Sequence, residues 1–118
     1  MRILIIDDNS AYRDAVSRAS INKGWDPISC RDIATAKQII QSKLPDLIIS
    51  DYLLHNETVV DLLYWMKSKS VNIPVIVVSA SDEEELSDTA LKNGADRFYD
   101  KLDFNLKKIY ETLEEWQD

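Results

Sequence analysis

Basic charge is scarce in this chain of 118 residues: 14 Lys and Arg stand against 21 Asp and Glu, a formal net charge of −7. That balance repels a phosphate backbone and argues against direct nucleic-acid binding. Cysteine is almost absent. Cys30 alone can form neither an internal disulfide nor a thiolate metal cage, as expected of a reducing compartment, and it reads as a strand core residue. Glycine and proline number 2 and 3, too few for linkers or low-complexity stretches. Long apolar runs are also missing, because the opening Met1-Arg2-Ile3-Leu4-Ile5-Ile6 meets two aspartates before it could serve as a signal-peptide core or membrane span. The expectation is a cytoplasmic protein without membrane contact, forming one domain over residues 1–118.

Three short apolar runs, Ile3 to Ile6, Leu47 to Ile49 and Val75 to Val78, lack polar alternation, the pattern of strands buried on both faces of a parallel sheet. Weaker strands are expected around Asp26 to Arg31 and Ala95 to Tyr99. Helical spacing joins Ala15, Val16 and Ala19, then Ile33, Ala36 and Ile40, then Val59, Leu62, Leu63 and Met66. Lys23-Gly24, Leu44-Pro45-Asp46 and Asn93-Gly94 supply stop signals, and Ser81 followed by Glu84 is a capping-box start, with Asp82 and Glu83 in the helix's first turn. A last helix from about Phe104 would bury Leu106, Ile109, Leu113 and Trp116, making five strands and five helices in one open α/β sheet covered on both faces.

In such sheets ligands bind beyond the carboxyl ends of the strands. There the apolar runs end in Asp7-Asp8, Ser50-Asp51, Ser79-Ala80-Ser81 and Asp100-Lys101. Each has a plain alternative: Asp7 or Asp8 could cap the first helix, Ser79 could end a strand, and Lys101 could be a surface charge. Jointly they say more. Crowded carboxylates repel unless a cation joins them, and an all-oxygen donor set suits a hard divalent ion, with magnesium expected. A carboxylate so neutralised can attack phosphorus, and Asp51 is the candidate acceptor, giving an acyl phosphate whose oxygens Lys101 and Ser79 would hold.

The segments Ile3-Leu4-Ile5-Ile6-Asp7-Asp8-Asn9, Pro45-Asp46-Leu47-Ile48-Ile49-Ser50-Asp51, Ile73-Pro74-Val75-Ile76-Val77-Val78-Ser79-Ala80 and Gly94-Ala95-Asp96-Arg97-Phe98-Tyr99-Asp100-Lys101 resemble the response-regulator receiver domain of two-component signalling, along essentially the whole chain. The resemblance implies a three-layer αβα sandwich, flavodoxin-like and (βα)5 in plan, with parallel strand order 2-1-3-4-5, in a single-domain arrangement like that of chemotaxis regulators. It implies Mg2+ held by Asp8, Asp51 and the backbone carbonyl of Leu53, with Asp7 acting through water. It also implies Asp51 as phosphoacceptor, with Ser79 and Phe98 as the switch pair that repacks helix 4, strand 5 and helix 5. The implied partners are a histidine kinase or phosphotransfer domain and a downstream protein effector. The chain would be a monomer or a phosphorylation-dependent dimer, and a phosphoacceptor rather than a turnover enzyme.

Departures from the family pattern fall at Leu102, where proline is usual, at His55, where proline is frequent, and at Val59, where glycine is common. They keep open a degenerate receiver that binds partners without phosphorylation. An aspartate-dependent phosphatase is a poorer fit, because neither Asp7-Asp8-Asn9 nor Asp51-Tyr52-Leu53 places a second aspartate two residues after the nucleophile. Flavin binding is poorer still, since no Ser/Thr/Gly-rich phosphate loop follows the first strand.

Overall fold

The computed structural model describes residues 1–80, 84–102, 107, 108, 111, 112 and 115. Along the chain β1 (Arg2–Ile6), α1 (Ser10–Asn22), β2 (Asp26–Cys30), α2 (Ile33–Lys43) and β3 (Leu47–Asp51) alternate as expected. Two short strands follow, β4 (Leu53–Leu54) and β5 (Glu57–Thr58), then α3 (Val59–Ser68), β6 (Val75–Ser79), α4 (Glu84–Lys92) and β7 (Arg97–Asp100). Residues 107, 108, 111, 112 and 115 carry helical backbone after β7.

The main sheet is parallel throughout, in the order β2-β1-β3-β6-β7. This is the expected 2-1-3-4-5 arrangement, because β4 and β5 lie outside the sheet as a separate antiparallel pair. Its two faces alternate along each strand. Ile3, Ile5, Leu47, Ile49, Ile76 and Val78 face α1 with Tyr12 and Val16, whereas Leu4, Ile6, Ile48, Val75 and Val77 face residues of α2, α3 and α4. Ile3 to Ile6 are all 0% exposed, which is why the run shows no polar alternation.

Among the described residues the helix-forming patterns hold with one exception. Ile33, Ala36 and Ile40 of α2 and Val59, Leu62, Leu63 and Met66 of α3 are buried. In α1, however, Ala15 is exposed, and the inward face runs through Tyr12, Val16 and Ser20. The start of the helix decides this phase: Asn9, and neither Asp7 nor Asp8, is the cap, its side chain accepting the Tyr12 amide at 3.1 Å. Cys30 closes β2 with its thiol buried, and that burial pushes the thiol up to about 11, so it is an unreactive core group.

Expected elements that involve Ser81, Asp82, Glu83, Phe104, Leu106, Ile109, Leu113 and Trp116 lie outside the described residues. Thr112 is buried and shares a 2.8 Å hydrogen bond between its hydroxyl and that of Tyr99, while Glu115 pairs with Arg97 at 2.5 Å, so the last helical segment is tied to β7. Among the described residues no helix is long and apolar enough to cross a membrane.

The loop beyond Asp51 is a hairpin whose tip is His55-Asn56. Asn56 takes the left-handed conformation (φ 62°) that a two-residue turn asks of a short polar side chain. The loop is anchored from its far side, where Glu57 Oε2 accepts the Ile33 amide at 3.2 Å. Asp32 caps the same helix, accepting the Thr35 amide at 2.7 Å. Hydrogen bonds from the Thr35 amide and hydroxyl hold the Asp32 carboxyl below the usual carboxylate range. A folded value below the unfolded one gives stability that is present above pH 3.8 and is lost as pH falls through the folded value. Asp32→Ala is therefore expected to cost about 1 kcal/mol at pH 7 in urea unfolding, with the difference vanishing in acid.

Candidate functional site

The chain leaves β1 for β2 on one side and returns to β3 on the other, so the carboxyl ends of β1 and β3 flank the point where the connections diverge. Asp7 and Asp51 stand two residues beyond Ile5 and Ile49, and Lys101 two beyond Tyr99. Alternation therefore carries all three onto the α1 face. The register brings the neighbouring strand ends level, with Asp51 opposite Val78 and Ser79 opposite Asp100.

Asp7 is 0% exposed. Its Oδ1 accepts the Asn9 amide at 2.9 Å, and its main-chain carbonyl accepts Arg13 Nη1 at 2.7 Å. Its Oδ2 makes no regular hydrogen bond and depends on the Lys101 ammonium, 2.7 Å away. The same Nζ donates to Asp51 Oδ2 at 3.1 Å. Asp8 is exposed, yet one oxygen each from Asp7, Asp8 and Asp51 lies within 4.8 Å of the others. Three hard oxygen donors at that separation fit a divalent cation.

Charge and burial set the protonation of this group. Burial pushes the Asp51 carboxyl above its ordinary value; Lys101 pulls it down, the Asp7 and Asp8 charges add to the rise, and the net direction is up. For Lys101 burial favours the neutral amine, but its hydrogen bond to Asp7 and the Asp51 carboxylate outweigh that, and the ammonium is held above its usual range. A cavity of about 450 Å³ lined by Asp8, Arg31, Asp32 and His55 opens beside the carboxylates, so His55 shares a wall with the site.

The other expected residues are distributed around this centre. Ser79 ends β6, is 2% exposed, and its carbonyl accepts the Lys101 amide at 2.8 Å. Leu53 lies on β4 with its side chain turned to solvent. Phe98 sits on the opposite face, half-buried beside Val77, and its ring meets Tyr52 edge-on with centroids 6.5 Å apart. Tyr52 follows Asp51 directly, so the aromatic pair links the carboxylate strand to β7. After Lys101 a short turn replaces the missing proline, with the Leu102 amide donating to Asp100 Oδ1 at 2.9 Å and the Leu102 side chain exposed.

Two aromatic residues, Tyr12 and Tyr52, did not stand out in the sequence. The Lys101 Nζ lies 4.4 Å from the centroid of the Tyr12 ring. Burial, then the Asp7 and Asp51 charges, push the Tyr12 phenol well above its usual value, so it stays protonated. The signal for Tyr12 was its place four residues after Asp8, in the first turn of the following helix. It becomes legible only once that helix is known to start at Ser10.

Fold and site together define a flavodoxin-like α/β domain with an acidic, lysine-neutralised pocket at its switch point. The chain belongs to the response regulator receiver domain family, whose profile matches residues 3–114. It is 29% identical over 102 residues to the phosphate regulon transcriptional regulatory protein PhoB of Escherichia coli, covering 85% of this chain and 44% of PhoB. The chain thus spans about half the length of the curated relatives it matches. A two-component response regulator from Clostridium difficile superposes with a TM-score of 0.86 at 23% identity, over 98% of this chain and 93% of that one. A response regulator from Burkholderia pseudomallei, solved with a phosphorylated aspartic acid, a calcium ion and citrate, superposes with a TM-score of 0.84 at 20% identity, over 92% of this chain and 64% of that one.

Proposed function

We propose that this receiver domain accepts a phosphoryl group on Asp51 from a histidine kinase or phosphotransfer domain and signals to protein partners through α4, β7 and the helical segment beyond it. The observation that carries this reading is the Lys101 ammonium held between the buried Asp7 and Asp51 carboxylates. Asp51 ends a strand and meets Lys101 through Oδ2 alone, which leaves its other oxygen out of that contact.

In the reaction an Asp51 carboxylate oxygen forms a bond to phosphorus as the bond from phosphorus to the donor breaks, the donor leaving with the electron pair. Lys101 follows the charge onto the phosphoryl oxygens, and the Ser79 hydroxyl hydrogen-bonds one of them in this reading. Mg2+ held by Asp8, Asp51 and the Leu53 carbonyl, with Asp7 acting through water, would neutralise the oxygens that Lys101 does not reach. The response regulator of the same fold from Burkholderia pseudomallei was solved with a phosphorylated aspartic acid and a calcium ion, which supports an aspartyl phosphate and a divalent cation as the chemistry of such a domain. Because Asp51 is itself modified and then regenerated, the chain is a phosphoacceptor and not a turnover enzyme. Drawing the Ser79 hydroxyl toward the phosphoryl group leaves space that Phe98 can enter, which changes the β7 surface.

A net charge of −7 favours protein partners over nucleic acid for this segment, working in the cytoplasm as a monomer or a phosphorylation-dependent dimer. Incubation with acetyl phosphate and magnesium is expected to add the mass of one phosphoryl group, and EDTA to prevent it. No mass gain in the folded protein would overturn the reading in favour of a phosphorylation-independent binding module.

A further inference from the structure

We infer that Tyr12 is a positioning residue for Lys101, its ring face forming the third wall of the pocket that holds the ammonium against Asp7 and Asp51. Lysine is a compact charge on a flexible four-carbon stem, so two carboxylates alone leave it free to swing along the open side. Here that side is closed by the aromatic ring, whose negative face attracts the cation at 4.4 Å. The ring is itself fixed: the Tyr12 amide is held by the Asn9 cap, and the side chain packs against the Ile and Val cluster on the α1 face. Lys101 needs such a wall because it follows β7 in a turn whose next side chain, Leu102, is 91% exposed and contributes no packing.

The Tyr12 hydroxyl is buried without a hydrogen-bond partner, so it is the ring that positions the lysine. This separates two substitutions. Tyr12→Phe keeps the ring and removes an unpaired donor, a change expected to be neutral or stabilising. Tyr12→Leu keeps apolar bulk and removes the aromatic face, and Tyr12→Met is a second replacement of that kind should the leucine variant fold poorly.

The inference rests on the phosphoacceptor reading for its consequence, so its test has two arms. In NMR spectra the Lys101 ε-methylene protons are expected upfield of ordinary lysines in the wild type and Tyr12→Phe, through the ring current, and at ordinary positions in Tyr12→Leu or Tyr12→Met. Initial rates with acetyl phosphate and magnesium are expected to agree within about twofold for the wild type and Tyr12→Phe, and to fall roughly 5-fold without the ring. Unshifted Lys101 resonances in the wild type, or a folded leucine or methionine variant working at the wild-type rate, would overturn the inference. So would a Tyr12→Phe variant as slow as Tyr12→Leu, since the hydroxyl would then be the working part. If the wild type takes up no phosphoryl group, the phosphoacceptor reading fails while the ring-current arm still decides the positioning.

Discussion

Asp51→Asn is expected to lose phosphoryl uptake completely and to unfold at a higher temperature than the wild type in metal-free buffer. Both effects come from one carboxylate. Its loss removes the proposed nucleophile, and its neighbours in the acidic cluster do not replace it, because Asp7 is fully buried with both oxygens engaged and Asp8 makes no ion pair with Lys101. The stability gain follows from the direction of the Asp51 shift. Burial and the neighbouring Asp7 and Asp8 charges raise the carboxyl above 3.8 despite Lys101. A folded value above the unfolded one means that the folded state binds the proton more tightly, so stability falls as pH rises from 3.8 through the folded value and stays lower at neutral pH. Asparagine is free of that loss. Thermal unfolding in EDTA from pH 3 to pH 7 should show the two proteins diverging as pH rises, with the variant on top. A variant equal to or less stable than the wild type at pH 7 contradicts this account, and a residual mass gain with acetyl phosphate sinks Asp51 as acceptor.

Lys101→Met is expected to have the opposite effect on stability, a loss of about 3 kcal/mol in urea unfolding at pH 7. Its side chain is 17% exposed and faces Asp7, whose side chain is 1% exposed. Removing the ammonium leaves Asp7 Oδ2 charged, buried and unpaired. The lysine contribution is undiminished at pH 7, because a raised ammonium value places its loss above 10.5. Adding Asp7→Asn to Lys101→Met should recover much of the loss, since the unpaired charge goes with it. Magnesium should also narrow the gap between Lys101→Met and the wild type. Phosphorylation should slow on the order of 10²-fold, the usual cost of removing one preorganised charge from a developing oxyanion. A destabilisation unaffected by Asp7→Asn would show that Lys101 acts through packing alone.

Much of this was readable in the residues, and the misreadings have definite causes. The apolar runs at Ile3, Leu47 and Val75 announced buried parallel strands because such strands need no polar face. Asp7, Asp8, Asp51 and Ser79 could be named from their position at the ends of those runs, and Lys101 from the end of the weaker strand that follows Ala95. Asp7 and Asp8 were also candidate helix caps, and the structure gives that role to Asn9 because only its side chain reaches the Tyr12 amide. Ala15 was assigned to a buried stripe, but the cap at Asn9 turns it to solvent. The hairpin at His55 was illegible because its stability comes partly from Glu57 reaching the Ile33 amide, a contact 24 residues away in sequence.

The sequence by itself determined which chemistry is available: acidic oxygens, one neutralising lysine, and short branched strands that must be buried on both faces. Those are properties of residue type and local order. Tertiary structure alone decided how the groups meet. Parallel register set Lys101 between Asp7 and Asp51, two carboxylates 44 positions apart in the chain, and helix phase laid the Tyr12 ring over the ammonium. Distance and burial convert a list of charged residues into a site, because electrostatic interaction strengthens as charges approach and water is excluded, and neither quantity is a property of any one segment.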